Sequence, residues 1–232
     1  MICRMKKTTF VALLLLSSQC VAESLKETIN SIEYEWATTY YSTSEQKQES
    51  AYATLLDKTV KLSRQYPNYA EPLFWQAVVK ASYADTQDAI SALEAIHEVR
   101  DLLLKVIAIN PRAMNGSAYV VLGTLYYMTP EWPIAFGDDK KADKLLKTAL
   151  EINPEGIDSN YFYGDYLLSN NRLQEAEAYF EKASSAPVRP EQTYADTQLK
   201  QEAKLALKNA RERKISGAKS LFLSLFNSAS AK

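Results

Sequence analysis

The sequence contains one histidine, His97, which is a weak basis for catalysis or metal binding. Zinc sites need three or four converging protein ligands, and a serine or cysteine nucleophile needs a neighbouring base. The chain also has no Gly-rich phosphate loop. His97 lies between Ile96 and Glu98 in a helix-like stretch, where we expect a surface or half-buried structural role. We therefore predict a protein that is not an enzyme, with no cofactor and no metal.

The carboxylates Asp138, Asp139 and Asp101 are the strongest remaining candidates for a calcium site or a hydrolase. Gly137 and Asp138, however, also form a typical turn followed by a helix N-cap. In that role, the acids face the positive end of the helix dipole. We predict that Asp138 caps a helix.

Aromatic residues are the best candidates for binding. Trp132, Pro133 and Phe136 lie in a long connection, where they either line a ligand path or staple the connection to adjacent helices. A strip of tyrosines is a second candidate, on a concave face, although tyrosines at helical spacing mostly bury their rings in the core. The candidate ligand- or partner-binding residues are Tyr126, Tyr127, Trp132, Phe136, Tyr161, Tyr163 and Tyr166.

A recurrence of 34 residues indicates the elements that position these side chains. The pattern Ala142, Leu146, Ala149 returns as Ala176, Phe180, Ala183. This period is typical of tetratricopeptide (TPR) helix pairs, in which small residues let one helix lie close to its neighbour. The predicted repeat-packing residues are Gly123, Ala142, Ala149, Gly164, Ala176, Phe180 and Ala183.

The composition favours helices, since 232 residues include only 6 Gly and 8 Pro. We predict an all-α fold, a TPR-like helical-hairpin solenoid with N- and C-terminal capping helices. The predicted boundaries are 1–22 for a signal peptide, 23–48 for an N-terminal capping helix, 49–190 for about four helix pairs with an insertion at 128–139, 191–214 for a C-terminal capping helix and 215–232 for an amphipathic tail.

The N-terminus resembles a secretory signal. Lys6 and Lys7 precede the apolar run 10–16, which is too short to span a bilayer, and small residues follow at 20–22. This predicts a periplasmic protein whose mature chain lacks both Cys3 and Cys20. The alternative is a lipoprotein anchored to a membrane through Cys20, although Gln19 occupies a position where lipoprotein signals prefer a small residue.

The charge balance argues against general nucleic-acid binding. Without residues 1–22 the chain keeps 24 of its 27 basic residues against 28 acidic ones, a net charge of about −4. In the tail, an apolar stripe at 215–226 follows basic residues at 208–214. It either contacts a membrane surface or a partner groove, or folds back onto the helices.

Several motifs are more specific than a general TPR pattern. They are Leu122–Tyr126, Pro130–Pro133, Phe136–Asp138, Ala149–Gly156 and Asn160–Gly164. From Asn115 to Arg189 the chain resembles the T component associated with TRAP transporters. The inserted Trp-Pro and Phe-Gly-Asp elements carry most of that resemblance.

The resemblance implies a periplasmic helical protein that partners a transporter's solute-binding protein. It also implies a homo-oligomer with a pore and a path for a small hydrophobic ligand. We therefore expect a non-enzymatic binding or scaffold protein, auxiliary to TRAP-type solute transport. The alternative is an envelope assembly adaptor whose groove holds a peptide or helix of a partner protein.

Overall fold

The computed structural model describes residues 6–212, with side chains from Ser24 onward. The thiols of Cys3 and Cys20 and the amphipathic tail 215–232 lie outside the described residues, so the predictions made for them stay predictions.

The described part of the chain is all-helical, without a strand, which confirms the predicted fold class at this level. Its order, interrupted by the short 3-10 turns Ala113–Gly116 and Pro190–Gln192, is α1 Lys6–Ser42, α2 Glu45–Gln65, α3 Ala70–Ala84, α4 Ala89–Ile109, α5 Ser117–Met128, α6 Asp139–Ile152, α7 Ile157–Ser169, α8 Leu173–Ser185 and α9 Thr193–Arg211.

Consecutive helices pack against each other, and α9 covers α8. Two glycines allow neighbouring helices to approach each other particularly closely. A Cβ atom at Gly123 would lie 2.7 Å from Cγ of Leu146, and one at Gly164 would lie 2.9 Å from the Phe180 ring. The other predicted packing residues are buried, namely Ala142, Ala149, Ala176 and Ala183.

The predicted N-terminal capping helix 23–48 crosses a helix boundary. Helix α1 ends at Ser42 and α2 begins at Glu45, so residues 45–48 belong to the second helix. Gln48 marks this corner, because its amide Nε2 donates to the carbonyls of Thr39 and Thr43 at 3.2 Å each.

The predicted insertion is a connection of residues 129–138 between α5 and α6. It ends at Asp138, whose side chain accepts a hydrogen bond of 3.0 Å from the backbone N–H of Lys141. The predicted N-cap is therefore confirmed.

Replacing Asp138 with alanine should lower Tm by about 2–4 °C, because an N-terminal amide of α6 loses its acceptor. The hydrogen bond from Lys141 also holds the pKa of Asp138 below its ordinary value. The capping contribution is therefore present above the unfolded-state pKa and is lost as the pH falls through the lower native pKa. Thermal melts of the variant and of Asp139→Ala, an exposed control, test this; equal melting temperatures for Asp138→Ala and wild type would contradict it.

The first and last described helices meet. The Tyr194 ring on α9 lies 6.2 Å from the Tyr34 ring and 6.3 Å from the Tyr41 ring on α1, measured between centroids. Its hydroxyl is 2.5 Å from Oγ of Ser42. We call this contact between α1 and α9 the closing seam. It makes the helices surround a central space.

Across residues 6–212, no helix combines the length and the apolar character needed to span a membrane.

Candidate functional site

A cavity of about 100 Å³ lies at the centre of the helices, behind the closing seam. Side chains from α1, α3, α5, α7 and α9 line it, so it depends on the whole arrangement rather than on one helix pair. Most of its wall is apolar and buried. The main apolar lining residues are Trp36, Phe74, Trp75, Val120, Phe162 and Leu199.

Two tryptophans form the aromatic side of the cavity. The ring centroids of Trp36 and Trp75 are 5.8 Å apart, and Phe74 packs edge-on against Trp75 at 5.5 Å. Nε1 of Trp36 donates to Oγ of Ser82 at 2.9 Å, which fixes the orientation of that ring. The aromatic wall is therefore set by α1 and α3 before any molecule binds.

An ion pair closes another side. The guanidinium of Arg189 binds Asp196 through Nη2 at 2.6 Å and Nε at 3.0 Å, and the Arg189 backbone N–H adds a bond of 2.8 Å to the same carboxylate. Asp196 is only 1% exposed. Burial lowers the pKa of Arg189, but the hydrogen bonds to Asp196 and the charges of Asp158, Asp196 and Glu33 together outweigh it and raise that pKa above its ordinary value. Arg189 therefore stays charged, and the pair fastens the 186–192 connection to α9.

Asp158 of α7 is a second carboxylate on the cavity wall. Its Oδ2 lies 2.6 Å from Oγ of Ser117 on α5, and its Oδ1 accepts from the backbone N–H of Ser159 at 3.0 Å. This contact ties α5 to α7 at the polar end of the cavity.

Glu33 is the third carboxylate, and it differs from the other two. It is 4% exposed, yet no group among residues 24–212 hydrogen-bonds its Oε1 atom. Burial raises the pKa of Glu33 to about 7; the charge of Arg189 lowers it, while those of Asp196 and Glu191 raise it. Glu33 was not among the binding residues predicted from the sequence. The sequence does contain a signal for it, because this carboxylate lies within the apolar stripe that Ile29, Ile32 and Trp36 form on α1.

A wider depression of about 430 Å³ lies next to the cavity. Met114, Arg189 and Gln192 line both spaces, so the two adjoin each other at these side chains, and we call the depression the mouth. The backbone turns sharply there, with positive φ angles at Met114, Asn115 and Gly116 of 49°, 55° and 83°. Residues other than glycine seldom adopt positive φ angles, and such backbone conformations occur preferentially at binding sites.

None of the seven predicted binding residues is among the side chains described around the cavity. On α7 the residues that face it are Asp158 and Phe162. The tyrosines of that helix are buried between helices instead, at exposures of 1% for Tyr161, 3% for Tyr163 and 6% for Tyr166. The alternative given for these tyrosines, that they bury their rings in the core, therefore describes all three, and a role for them in binding stays a prediction.

The hydroxyl of Tyr127 likewise has a hydrogen-bond partner within the protein. Its hydroxyl lies 2.5 Å from Oδ2 of Asp165 on α7. Burial raises the pKa of Asp165 to about 6, and the Tyr127 hydrogen bond partly offsets this. This pair joins α5 to α7 in the core.

Of the two alternatives for the 129–138 connection, stapling describes Phe136. The Phe136 ring packs against the rings of His97 at 5.0 Å and Tyr126 at 5.4 Å, with Cζ of Arg100 4.8 Å from its centre. Phe136 therefore staples the connection to α4 and α5. Trp132 instead is 85% exposed. His97 is half-buried, as predicted.

Truncating the side chains of Phe136 and Trp132 should have different effects on stability. Phe136→Ala should lower the free energy of unfolding by about 1–2 kcal/mol, because a half-buried ring is lost. Trp132→Ala should change it by less than about 0.5 kcal/mol, since the ring is in solvent. Urea denaturation of both variants measures this, and a comparable loss for Trp132→Ala would show that its ring packs against the protein.

No group of three or more His, Cys, Asp or Glu side chains within the described part of the chain is placed to hold a metal ion. No protein-family model matches the chain, and no curated protein matches its sequence.

Proposed function

We propose that this chain is a non-enzymatic binding protein of the TPR-like helical-hairpin solenoid type, which holds a small and mainly apolar molecule in its central cavity. The observation that carries the proposal is the aromatic cavity itself. Ligand sites are typically concave and apolar, with a few oriented polar groups. Here Trp36, Trp75 and Phe162 supply the apolar wall, and Glu33 and Asp158 supply polar groups.

The setting of this function comes from the sequence. The signal-like segment 1–22 supports export to the periplasm, and the resemblance between Asn115 and Arg189 supports an auxiliary role in TRAP-type solute transport. In that role the protein hands a bound molecule to, or receives it from, a periplasmic solute-binding protein.

The three tryptophans of the chain allow a direct binding test. A Trp132→Phe variant removes the exposed ring and leaves Trp36 and Trp75, which both line the cavity. Titration with 2-phenylethanol, a small neutral aromatic probe, should then change the tryptophan fluorescence in a saturable way.

A matched pair of variants localises the effect. Val121→Phe places a larger side chain in the cavity wall and should weaken the response. Val60→Phe makes the same change in a separate groove near α2 and should leave it unaltered. A response that survives Val121→Phe, or no saturable response in any variant, would count against the cavity as the binding site.

A second candidate function is supported by the 129–138 connection. Trp132 is 85% and Ile134 65% exposed, and such a pair at a loop tip suits contact with a protein partner. A photoreactive phenylalanine at position 132 should crosslink a periplasmic solute-binding protein in cells. The same residue at position 90, where Ile90 is 75% exposed, serves as the control; equal crosslinking at both positions would contradict a specific contact.

A further inference from the structure

We propose that the cavity selects an organic cation, a ligand with an apolar body and one ammonium group that pairs with Glu33. This inference rests on the proposed function, since it specifies the chemical class of the molecule held there.

The charges around the cavity favour a cation. Among the described lining residues, three carboxylates, those of Glu33, Asp158 and Asp196, face the single guanidinium of Arg189. That guanidinium is committed to Asp196 by hydrogen bonds of 2.6 and 3.0 Å. The wall therefore carries an excess of negative charge, which disfavours an anionic ligand.

Two of the described lining residues keep a buried polar atom without a partner, the acceptor Oε1 of Glu33 and the donor Nε1 of Trp75. Asp158 and Asp196 already accept hydrogen bonds, at 3.0 Å from Ser159 N and 2.8 Å from Arg189 N. Oε1 of Glu33 is buried, and no group among the described residues bonds it. A buried carboxylate without a donor costs free energy, which an ammonium group offsets through a charge-assisted hydrogen bond.

The rest of the wall suits the body of such a ligand. Aromatic faces attract cations, and burial strengthens that attraction. An apolar cavity of about 150 Å³ holds a benzene ring. The central space of about 100 Å³ is smaller than that, so a ring or short chain enters it only in part, with its remainder toward the adjoining depression of about 430 Å³.

The ionisation of Glu33 makes binding pH-dependent. The charged groups that face it are Arg189 and Glu191 from the 186–192 connection, Asp196 from α9 and Asp158 from α7. With the pKa of Glu33 at about 7, the free protein is mostly protonated there in mild acid. A cation favours the ionised form, so binding should release about one proton at about pH 6 and almost none at about pH 8.5.

The experiment compares three probes of similar shape, which are 2-phenylethylammonium, 2-phenylethanol and 3-phenylpropionate. Calorimetric titration of the full chain at about pH 8.5 should show the ammonium binding at least about tenfold more tightly than the alcohol. Below pH 7 its affinity should fall about tenfold per pH unit, whereas that of the alcohol should stay constant.

The variant Glu33→Gln should remove this preference, so that the ammonium and the alcohol bind alike. Glu35→Gln is the matched control. Glu35 lies one half-turn away on α1, is exposed and pairs with Lys58. That control should keep the full preference. Should Glu33→Gln fail to fold, proton release by the unaltered protein in buffers of different ionisation enthalpy decides the question.

The outcomes separate the two proposals. Tighter ammonium binding with proton release supports the inference. Equal binding of ammonium and alcohol, or tightest binding of the carboxylate, overturns it and leaves the cavity as an apolar site. Failure of all three probes to bind overturns the inference together with the proposed function.

Discussion

Replacing Arg189 with methionine is expected to lower the free energy of unfolding by about 3–5 kcal/mol. The change leaves Asp196, which is 1% exposed, as a buried carboxylate without its guanidinium. Breaking a buried pair on one side costs more than the pair itself contributes, because the remaining charge stays desolvated. Urea denaturation followed by circular dichroism measures the loss.

Two further variants identify the cause. Arg172→Met removes the guanidinium of an exposed ion pair with Glu175 and should leave the midpoint nearly unchanged. In the double variant Arg189→Met with Asp196→Leu, much of the lost stability should return, since Asp196 no longer leaves an uncompensated charge. If the double variant were as unstable as Arg189→Met alone, the uncompensated carboxylate would not be the reason.

Phe180→Ala should lower the free energy of unfolding by a similar amount, about 3–5 kcal/mol. The Phe180 ring is fully buried and fills the space that Gly164 leaves between α7 and α8. Gly164→Ala alone should cost about 1–3 kcal/mol, because its Cβ atom would lie 2.9 Å from that ring. Denaturant unfolding of each variant gives both values.

The combined variant tests whether the two residues act through this contact. Gly164→Ala with Phe180→Ala should cost less than the separate losses together, since the truncated side chain makes room for the added methyl group. Gly123→Ala with Phe180→Ala is the control. Gly123 approaches Leu146 instead, so its effect should add to that of Phe180 within about 0.5 kcal/mol. Additivity in both pairs would contradict the Gly164 contact.

Features that depend on neighbours in sequence were predictable. Asp138 caps α6, because an N-cap is set by a turn residue and the amides that follow it within three positions. The close helix contacts at Gly123 and Gly164 were predictable too, because the spacing of each glycine from nearby apolar residues fixes the helix face that they share. Such signals are local, and the sequence contains them in full.

The cavity was not predictable in the same way. Glu33, Asp158 and Asp196 belong to three different helices, and the packing of both α1 and α7 against α9 brings them together. In the sequence Asp158 and Asp196 resemble ordinary surface acids, and of the three only Glu33 lies within an apolar stripe. The tyrosines of α7 show the converse difficulty. Helical spacing indicates that they share buried faces but not which neighbour each face meets, so a concave face stayed open for Tyr163 and Tyr166, whereas Phe162 is the aromatic residue of α7 that lines the cavity.

The closing seam has a consequence for how the molecule opens. In a linear repeat protein each unit contacts only its neighbours, so the two ends fray independently. Here the hydrogen bond between Ser42 and Tyr194 joins residues 152 positions apart. Detaching α9 exposes apolar surface on α1, and detaching α1 does the same to α9. The two ends are therefore expected to open cooperatively, and a molecule that exchanges with the cavity through the seam must wait for that shared event.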